Sequence, residues 1–322
     1  MRFGVLRILL GVCVVASTLT LTHAGPDLRP ITLSATSGRV KVNDEEQLCH
    51  RRTFLRAQDT EVNRVVMSVK GGSHHVHLYR PYNGDVVYPT KNCPFAVDFS
   101  HWQLVTATQT PFLDWQLPPG VAINFSAHQP LLVQTHFVNA GSLGVKGRAR
   151  AKIKLYPMDP AAVTAHGGAL FGQDKTVKVP PGQHTQISRC ALTGDVSEGR
   201  QMTVMALTGH YHFRGIRFQV YRVHADGSTG ELLYQHEGYN DPTFQQYTDG
   251  SLVLQPGEGL EWWCTYQNDT AETFDFGPNT QRNEHCNLFG FYYPTDTAQE
   301  AIDCVHRFDD QGNEVNQRIV AQ

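Results

Sequence analysis

The 322-residue chain has no run of clustered lysine and arginine, no C-x-x-C pair and, beyond its first two dozen residues, no long apolar stretch. Each absence removes a class of function. Nucleic-acid binding draws on counterion release by clustered cations, so a nucleic-acid partner is not expected. Zinc ribbons and thioredoxin-type centres need closely paired cysteines. A spanning helix needs about 20 apolar residues. H-E-x-x-H, G-x-S-x-G, P-loop and G-x-G-x-x-G patterns are also missing, which sets aside the common metalloprotease, serine-hydrolase and nucleotide sites. Charged residues are only 18 % and hydrophobic ones 40 %, a globular and sheet-like balance.

What is present begins with a leader. Arg2 and Arg7 flank a positive end, an apolar run from Ile8 to Val15 follows, and Thr22-His23-Ala24 precedes Gly25. This reads as a signal peptide over residues 1–24, cleaved on export to the periplasm or the outside, with no membrane attachment afterwards. Its removal takes two arginines and no acid, moving the formal net charge from −3 to −5. Cys13 leaves with it. Cys49, Cys93, Cys190, Cys264, Cys286 and Cys304 remain, an even number that suggests three disulfides whose pairing the residues alone leave open.

The rest is patterned as strands. Val65 to Val69, Leu131 to Val138, Ala149 to Leu155, Met202 to Leu207, Ile216 to Arg222, Leu260 to Tyr266 and Asn287 to Tyr293 are β-branched or aromatic runs. Turn clusters such as Pro81-Tyr82-Asn83-Gly84, Pro118-Pro119-Gly120, Pro180-Pro181-Gly182 and Asp226-Gly227 separate them. The expected fold is all-β, as two sandwich or jelly-roll domains in tandem. Pro157 and Pro160 cannot continue a ladder and mark the boundary. The domains are then 25–157 and 158–309, with a polar, frayed tail over 310–322.

Sixteen histidines stand out. Gly71-Gly72-Ser73-His74-His75-Val76-His77 places three within four positions. On a regular strand His75 and His77 share a face and His74 opposes them. His74 and His75 can therefore grip one ion only if the backbone bends, and Gly71 and Gly72 could supply the bend. The plainer reading is a polar strand end with solvated rings. Gln134 and His136 share one face of an alternating strand. His210 and His212, two apart in Gly209-His210-Tyr211-His212, point the same way on a strand, a spacing suited to two ligands of one ion. His285 sits beside Cys286 at the mouth of an apolar strand, and Glu284 is the acid nearest to it. Imidazole-rich sites suit copper, zinc, iron or nickel. His166, His184, His224 and His306 have no partner pattern and read as surface or locally bonded.

These motifs, taken together, resemble the copper type II, ascorbate-dependent monooxygenases. The resemblance rests on His74-His75, Leu117-Pro118-Pro119-Gly120-Val121 leading to Gln134-Thr135-His136, His210-x-His212, and Cys286-Asn287-Leu288 followed by Tyr292-Tyr293. It covers residues 45 to 295 in matching order. It implies two jelly-roll domains, each holding one copper, separated by an open, solvent-filled gap. His74, His75 and His136 would form the electron-donating site. His210, His212 and His285 would form the oxygen-activating site, with His77 a possible substitute ligand. Gln134 and Asn287 would assist. Two coppers, O₂ and ascorbate or a similar one-electron reductant are the implied cofactors. The implied disulfides are Cys49–Cys93, Cys190–Cys304 and Cys264–Cys286.

Two departures shape the functional expectation. The family's third ligand at the oxygen-activating site is a methionine, at the position of His285. A thioether favours copper(I), whereas imidazole favours copper(II) and lowers the drive for reduction. Peptide-active members also carry an arginine and a tyrosine where this chain has Thr208 and Phe289. A carboxylate clamp without its arginine loses its charge-assisted bond. The expected activity is therefore hydroxylation of a C–H bond of a small, non-peptide molecule. The rivals are a non-catalytic exported copper-binding protein of the same fold, a three-imidazole zinc hydrolase and an adhesive sandwich module. Asn124-Phe125-Ser126 and Asn268-Asp269-Thr270 are sequons that could accept sugar.

Overall fold

The computed structural model describes residues 25–70, 73–82, 86, 88, 93, 101–139, 147–191, 199–308, 311 and 314–320. Residues 1–24, where a leader is expected, and the Gly71-Gly72 pair lie outside the described residues. Nearly everything described is strand. One 3-10 turn, Pro160–Ala162, follows the Asp159 cap at the expected boundary.

The N-terminal half holds two sheets. In one, Ile31–Thr36, Arg150–Pro157, Thr60–Lys70, Val121–Phe125 and Ala165–His166 lie side by side, and Phe112–Gln116 pairs with Thr60–Lys70. In the other the order is Asp44–Thr53, Pro130–Asn139, Ser73–Pro81, Trp102–Thr108. Ile31–Thr36 alternates buried and exposed residues, the period-two pattern of a strand covering a core. Val65, Met67, Val76, Leu78, Trp115, Leu131 and Val133 fill the space between the sheets.

The C-terminal half repeats the plan with different residues. Its larger sheet is centred on Met202–His210, Asn287–Tyr293, Gly168–Asp174 and Ile302–Phe308. A four-stranded sheet, Gly182–Ala191, Gly259–Asn268, Gly215–Val223 and Thr229–Glu237, faces it. The segment expected to fray instead adds a strand, Glu314–Val320, antiparallel to Ile302–Phe308. The three disulfides join Cys49–Cys93, Cys190–Cys304 and Cys264–Cys286, the pairs that the resemblance implied.

The implied solvent gap between the halves is not found among the described residues. Phe171, Phe289 and Phe291 of the C-terminal half belong to the same apolar cluster as Val65 and Trp115. The Trp115 and Phe291 rings lie 4.7 Å apart. The Gln246 amide donates to the Asp114 carbonyl at 3.0 Å, and the Gln299 amide to Asn124 at 3.0 Å. Buried apolar contact of this kind favours a closed seam, because opening it would return aromatic surface to water. Both sequon asparagines are also internal. Asn124 is 7 % exposed and Asn268 2 %, and each amide is hydrogen-bonded, so neither offers a free acceptor.

Candidate metal centre

The first histidine group is built by a break in register. Ser73 pairs with Phe137, yet His75 pairs with His136, so one residue is extra on the Ser73–Pro81 strand. That residue is His74. A bulge turns an added side chain out of the alternation, and here it brings His74 to the same side as His75. Their ring centroids are 5.3 Å apart, and His136 lies 5.2 Å from His74 and 5.0 Å from His75. Glu45, on the neighbouring strand, faces His136 Nε2 at 3.1 Å. The same carboxylate accepts the Thr280 hydroxyl at 2.8 Å, across the seam. His77 stacks on His75 at 4.1 Å and meets the Tyr79 hydroxyl through Nδ1 at 2.8 Å. Gln134 turns its amide toward the Cys49–Cys93 sulfurs, 3.9 and 3.6 Å away.

The second group sits where the Met202–His210 strand ends. Gly209 precedes the first ligand candidate because a Cβ there would lie 2.3 Å from the Phe218 ring. Tyr211 covers the following turn, with its ring against Gly215 and its hydroxyl on the Gly238 carbonyl. His210 Nδ1 meets the Gln109 side-chain oxygen at 2.5 Å, and His212 Nδ1 donates to the Asn283 carbonyl at 3.1 Å. With Nδ1 carrying the proton, Nε2 of each ring keeps its lone pair. Gln109 also donates to the Gly209 carbonyl at 2.6 Å, so an N-terminal residue sets a C-terminal ring.

Glu284 is not placed as a ligand. It is fully buried and accepts the His212 and Arg214 backbone N–H groups at 3.1 Å each, as well as the Arg214 guanidinium at 3.2 Å. Burial pushes its carboxyl up to about 7 against the pull of Arg214. Its work is to hold the turn that carries His212.

The two groups meet. His74 lies 4.8 Å from His210 and 5.6 Å from His212 by ring centroids. Ligand-capable nitrogens of His74, His75 and His136 all fall within 4.8 Å of one another, and so do those of His74, His210 and His212. Either set could hold a metal ion. His74, His210 and His212 each have a buried Nε2 with no hydrogen-bond partner among the described residues. Buried polar atoms are rarely left so without a ligand. Burial, then the neighbouring imidazoles, hold His74, His75, His210 and His212 well below the usual histidine range, so the rings are neutral, the form that binds metal. His285 is outside both sets. It stacks on His212 at 4.2 Å and on Phe276 at 4.9 Å, with Nδ1 3.5 Å from the Asn287 amide nitrogen.

Residues 168–316 match the family model for the C-terminal domain of copper type II ascorbate-dependent monooxygenases. Over those residues the chain is similar to that family's C-terminal domain. No curated protein matches the chain. Among solved structures, the major capsid protein P2 from Bacteriophage PM2 is 7 % identical, covering 81 % of this chain and 97 % of that one, with a TM-score of 0.32. The PBCV-1 virus capsid is 10 % identical, covering 85 % and 96 %, with a TM-score of 0.30. Superposition this loose carries no argument. Within the matched residues, Thr208 pairs with Phe289 and His210 with Asn287 across adjacent strands. Phe289 packs on His77 and Phe171 at 5.0 and 5.1 Å. Gln109 and Glu45 carry no motif, and sequence reasoning passed over both.

Proposed function

We propose that the protein is an exported, copper-dependent monooxygenase that hydroxylates a C–H bond of a small, neutral substrate, using O₂ and an ascorbate-type reductant. The observation that carries this reading is the convergence of three buried Nε2 atoms, without a hydrogen-bond partner among the described residues, in a chain whose residues 168–316 match the C-terminal domain of the copper monooxygenases. Copper changes oxidation state one electron at a time, so two ions match the two electrons that hydroxylation with O₂ consumes.

The chain's part is to place and tune. His74, His75 and His136 are the proposed ligands of one ion, with Glu45 fixing the His136 ring. His210 and His212 are proposed for the other, their orientations set by Gln109 and the Asn283 carbonyl. A single His74 nitrogen serves one ion at a time. Two ions bound together therefore need another third ligand beside His210 and His212, and the adjacent imidazole is His285. Phe289 and Thr208 line the neighbouring ladder with neutral side chains, which supports a substrate without a carboxylate. Three disulfides agree with an oxidising compartment.

The test is metal analysis of the mature protein, followed by ascorbate-dependent O₂ uptake across a panel of neutral small molecules and glycine-extended peptides. Uptake coupled to a hydroxylated neutral product is the expected result. Two bound coppers without any substrate-coupled uptake would instead establish the non-catalytic copper-binding protein, the alternative that the His285 position favours.

A further inference from the structure

His74 stands among four other imidazoles, and both metal-binding sets include it. Its ring centroid lies 5.3 Å from that of His75 and 5.2 Å from that of His136, in its own half. Across the seam it lies 4.8 Å from His210 and 5.6 Å from His212. The remaining spacings within the sets, His75 to His136 and His210 to His212, are 5.0 and 5.4 Å. Imidazoles on one ion, with metal–nitrogen bonds of about 2 Å at roughly tetrahedral angles, have centroids roughly 5 Å apart. Each trio therefore already has the spacing of a loaded site, and the two share one ring. The bulge that adds His74 to the Ser73–Pro81 strand sets this ring at the seam, within reach of both halves. Its Nε2 is buried and has no hydrogen-bond partner among the described residues. An imidazole carries two nitrogens on different sides of the ring, and each can serve a metal.

We infer that His74 is a bridging ligand whose two nitrogens bind two metal ions at once. One ion is held with it by His75 and His136, the other by His210, His212 and the adjacent His285. The inference rests on the copper monooxygenase reading above for the identity of the ions. It goes beyond that reading in joining the two sites through one side chain. Neutral imidazole carries a single N–H proton. His74 offers its bare nitrogen to the first ion. It gives up the proton of its other nitrogen when the second ion, already held by His210, His212 and His285, comes against it. That proton passes to the buffer, and no oxidation state changes. Release of protons from ligands is the ordinary accompaniment of metal binding. The shared ring is then an anion between two cations, which offsets their repulsion where burial weakens screening. Because His74 belongs to one half and His210 and His212 to the other, the bridge also ties the halves together.

The experiment loads the metal-free mature protein with copper(II), one equivalent at a time, without reductant. Total copper and electron paramagnetic resonance intensity are read at each step. The protein should retain two coppers. The signal should rise with the first equivalent and fall with the second, because a shared imidazolate pairs the two spins. Zinc(II) as the second equivalent has no unpaired electron and should leave the signal standing. His74→Gly opens space for an added ligand. Imidazole, with two nitrogens, should restore the silent pair there, and 1-methylimidazole, with one ligating nitrogen, should not. Two retained coppers with additive signals overturn the bridge. So does saturation at one copper, which would mean that both sets compete for a single nitrogen. A silent pair in His74→Gly with 1-methylimidazole also overturns it, by showing that another path couples the ions. A silent pair in the parent protein without substrate-coupled O₂ uptake overturns the hydroxylase reading instead and leaves the bridge standing.

Discussion

The N-terminal histidine group is complete within one sheet, whereas the C-terminal group reaches three rings only by using the neighbour's His74. His75 and His136 are partners on adjacent strands, and the bulge at Ser73/His75 supplies the third ring locally. His210 and His212 share a strand end and borrow both a ring and an orienting amide, Gln109, from the other half. One group is thus a property of a sheet, and the other a property of the seam. Changes to His75 or His136 should act on one site, whereas a change to His74, the ring where the groups meet, should act on both.

The largest expected effect is that of His74→Ala, which removes the ring common to both sets. At one copper per chain, where His74 is free to complete either set, affinity should fall at both sets, by more than the tenfold to hundredfold, approximately, that loss of an outer partner costs. His75→Ala should spare the C-terminal site. Site-resolved copper titration followed by electron paramagnetic resonance distinguishes them, and an intact C-terminal site in His74→Ala would dissolve the contrast. Next comes His285→Ala. With His74 committed to the first ion, stoichiometry should drop from two coppers toward one. If two remain with an unchanged spectrum, His285 is not a ligand. Gln109→Ala should follow, with roughly 10- to 100-fold weaker copper at His210 and His212 and the other site unaffected.

Two smaller effects probe the fold beneath the sites. Gly209→Ala forces a methyl into the Phe218 ring, and overpacking of this kind costs about 1–3 kcal/mol, readable in denaturant unfolding. Asp303 is 1 % exposed, bonded to the Tyr82 hydroxyl, and burial raises its carboxyl to about 8. The folded state then holds a proton that the unfolded state releases above about pH 4. Stability from this group is fully present below that pH and is lost as pH rises through 8. Asp303→Asn should flatten that slope in unfolding curves taken between pH 4 and 8, and an unchanged slope would remove Asp303 as its source.

Much of the fold could be read from the residues. Ile31–Thr36 alternates cleanly, and the seven apolar runs fall in strands, save Ala149 just before Arg150–Pro157. Met202–His210 is buried at every position, so it shows as a run without alternation and gives no hint of which face carries the ligands. A break at His74 was legible in the adjacent His74-His75 pair, which a flat strand would point apart; the glycines expected to supply it lie outside the described residues, and the bulge itself depends on pairing with a strand some sixty residues away. Gln109 and Glu45 left no trace, because each is a lone polar residue whose partner lies 101 or 91 positions off. The closed seam was illegible for the same reason. Phe171 and Phe291 look like core residues of their own half, and nothing local says that their far side meets Trp115.

That meeting has a bearing on dissection of the molecule. Severing the chain between Ala162 and Gly168 would leave each fragment with a bared aromatic face and with half of a hydrogen-bonded scaffold. Neither piece should be well-behaved alone in solution. Co-expressed, they should find one another and melt in a single cooperative transition, like a protein that happens to be nicked.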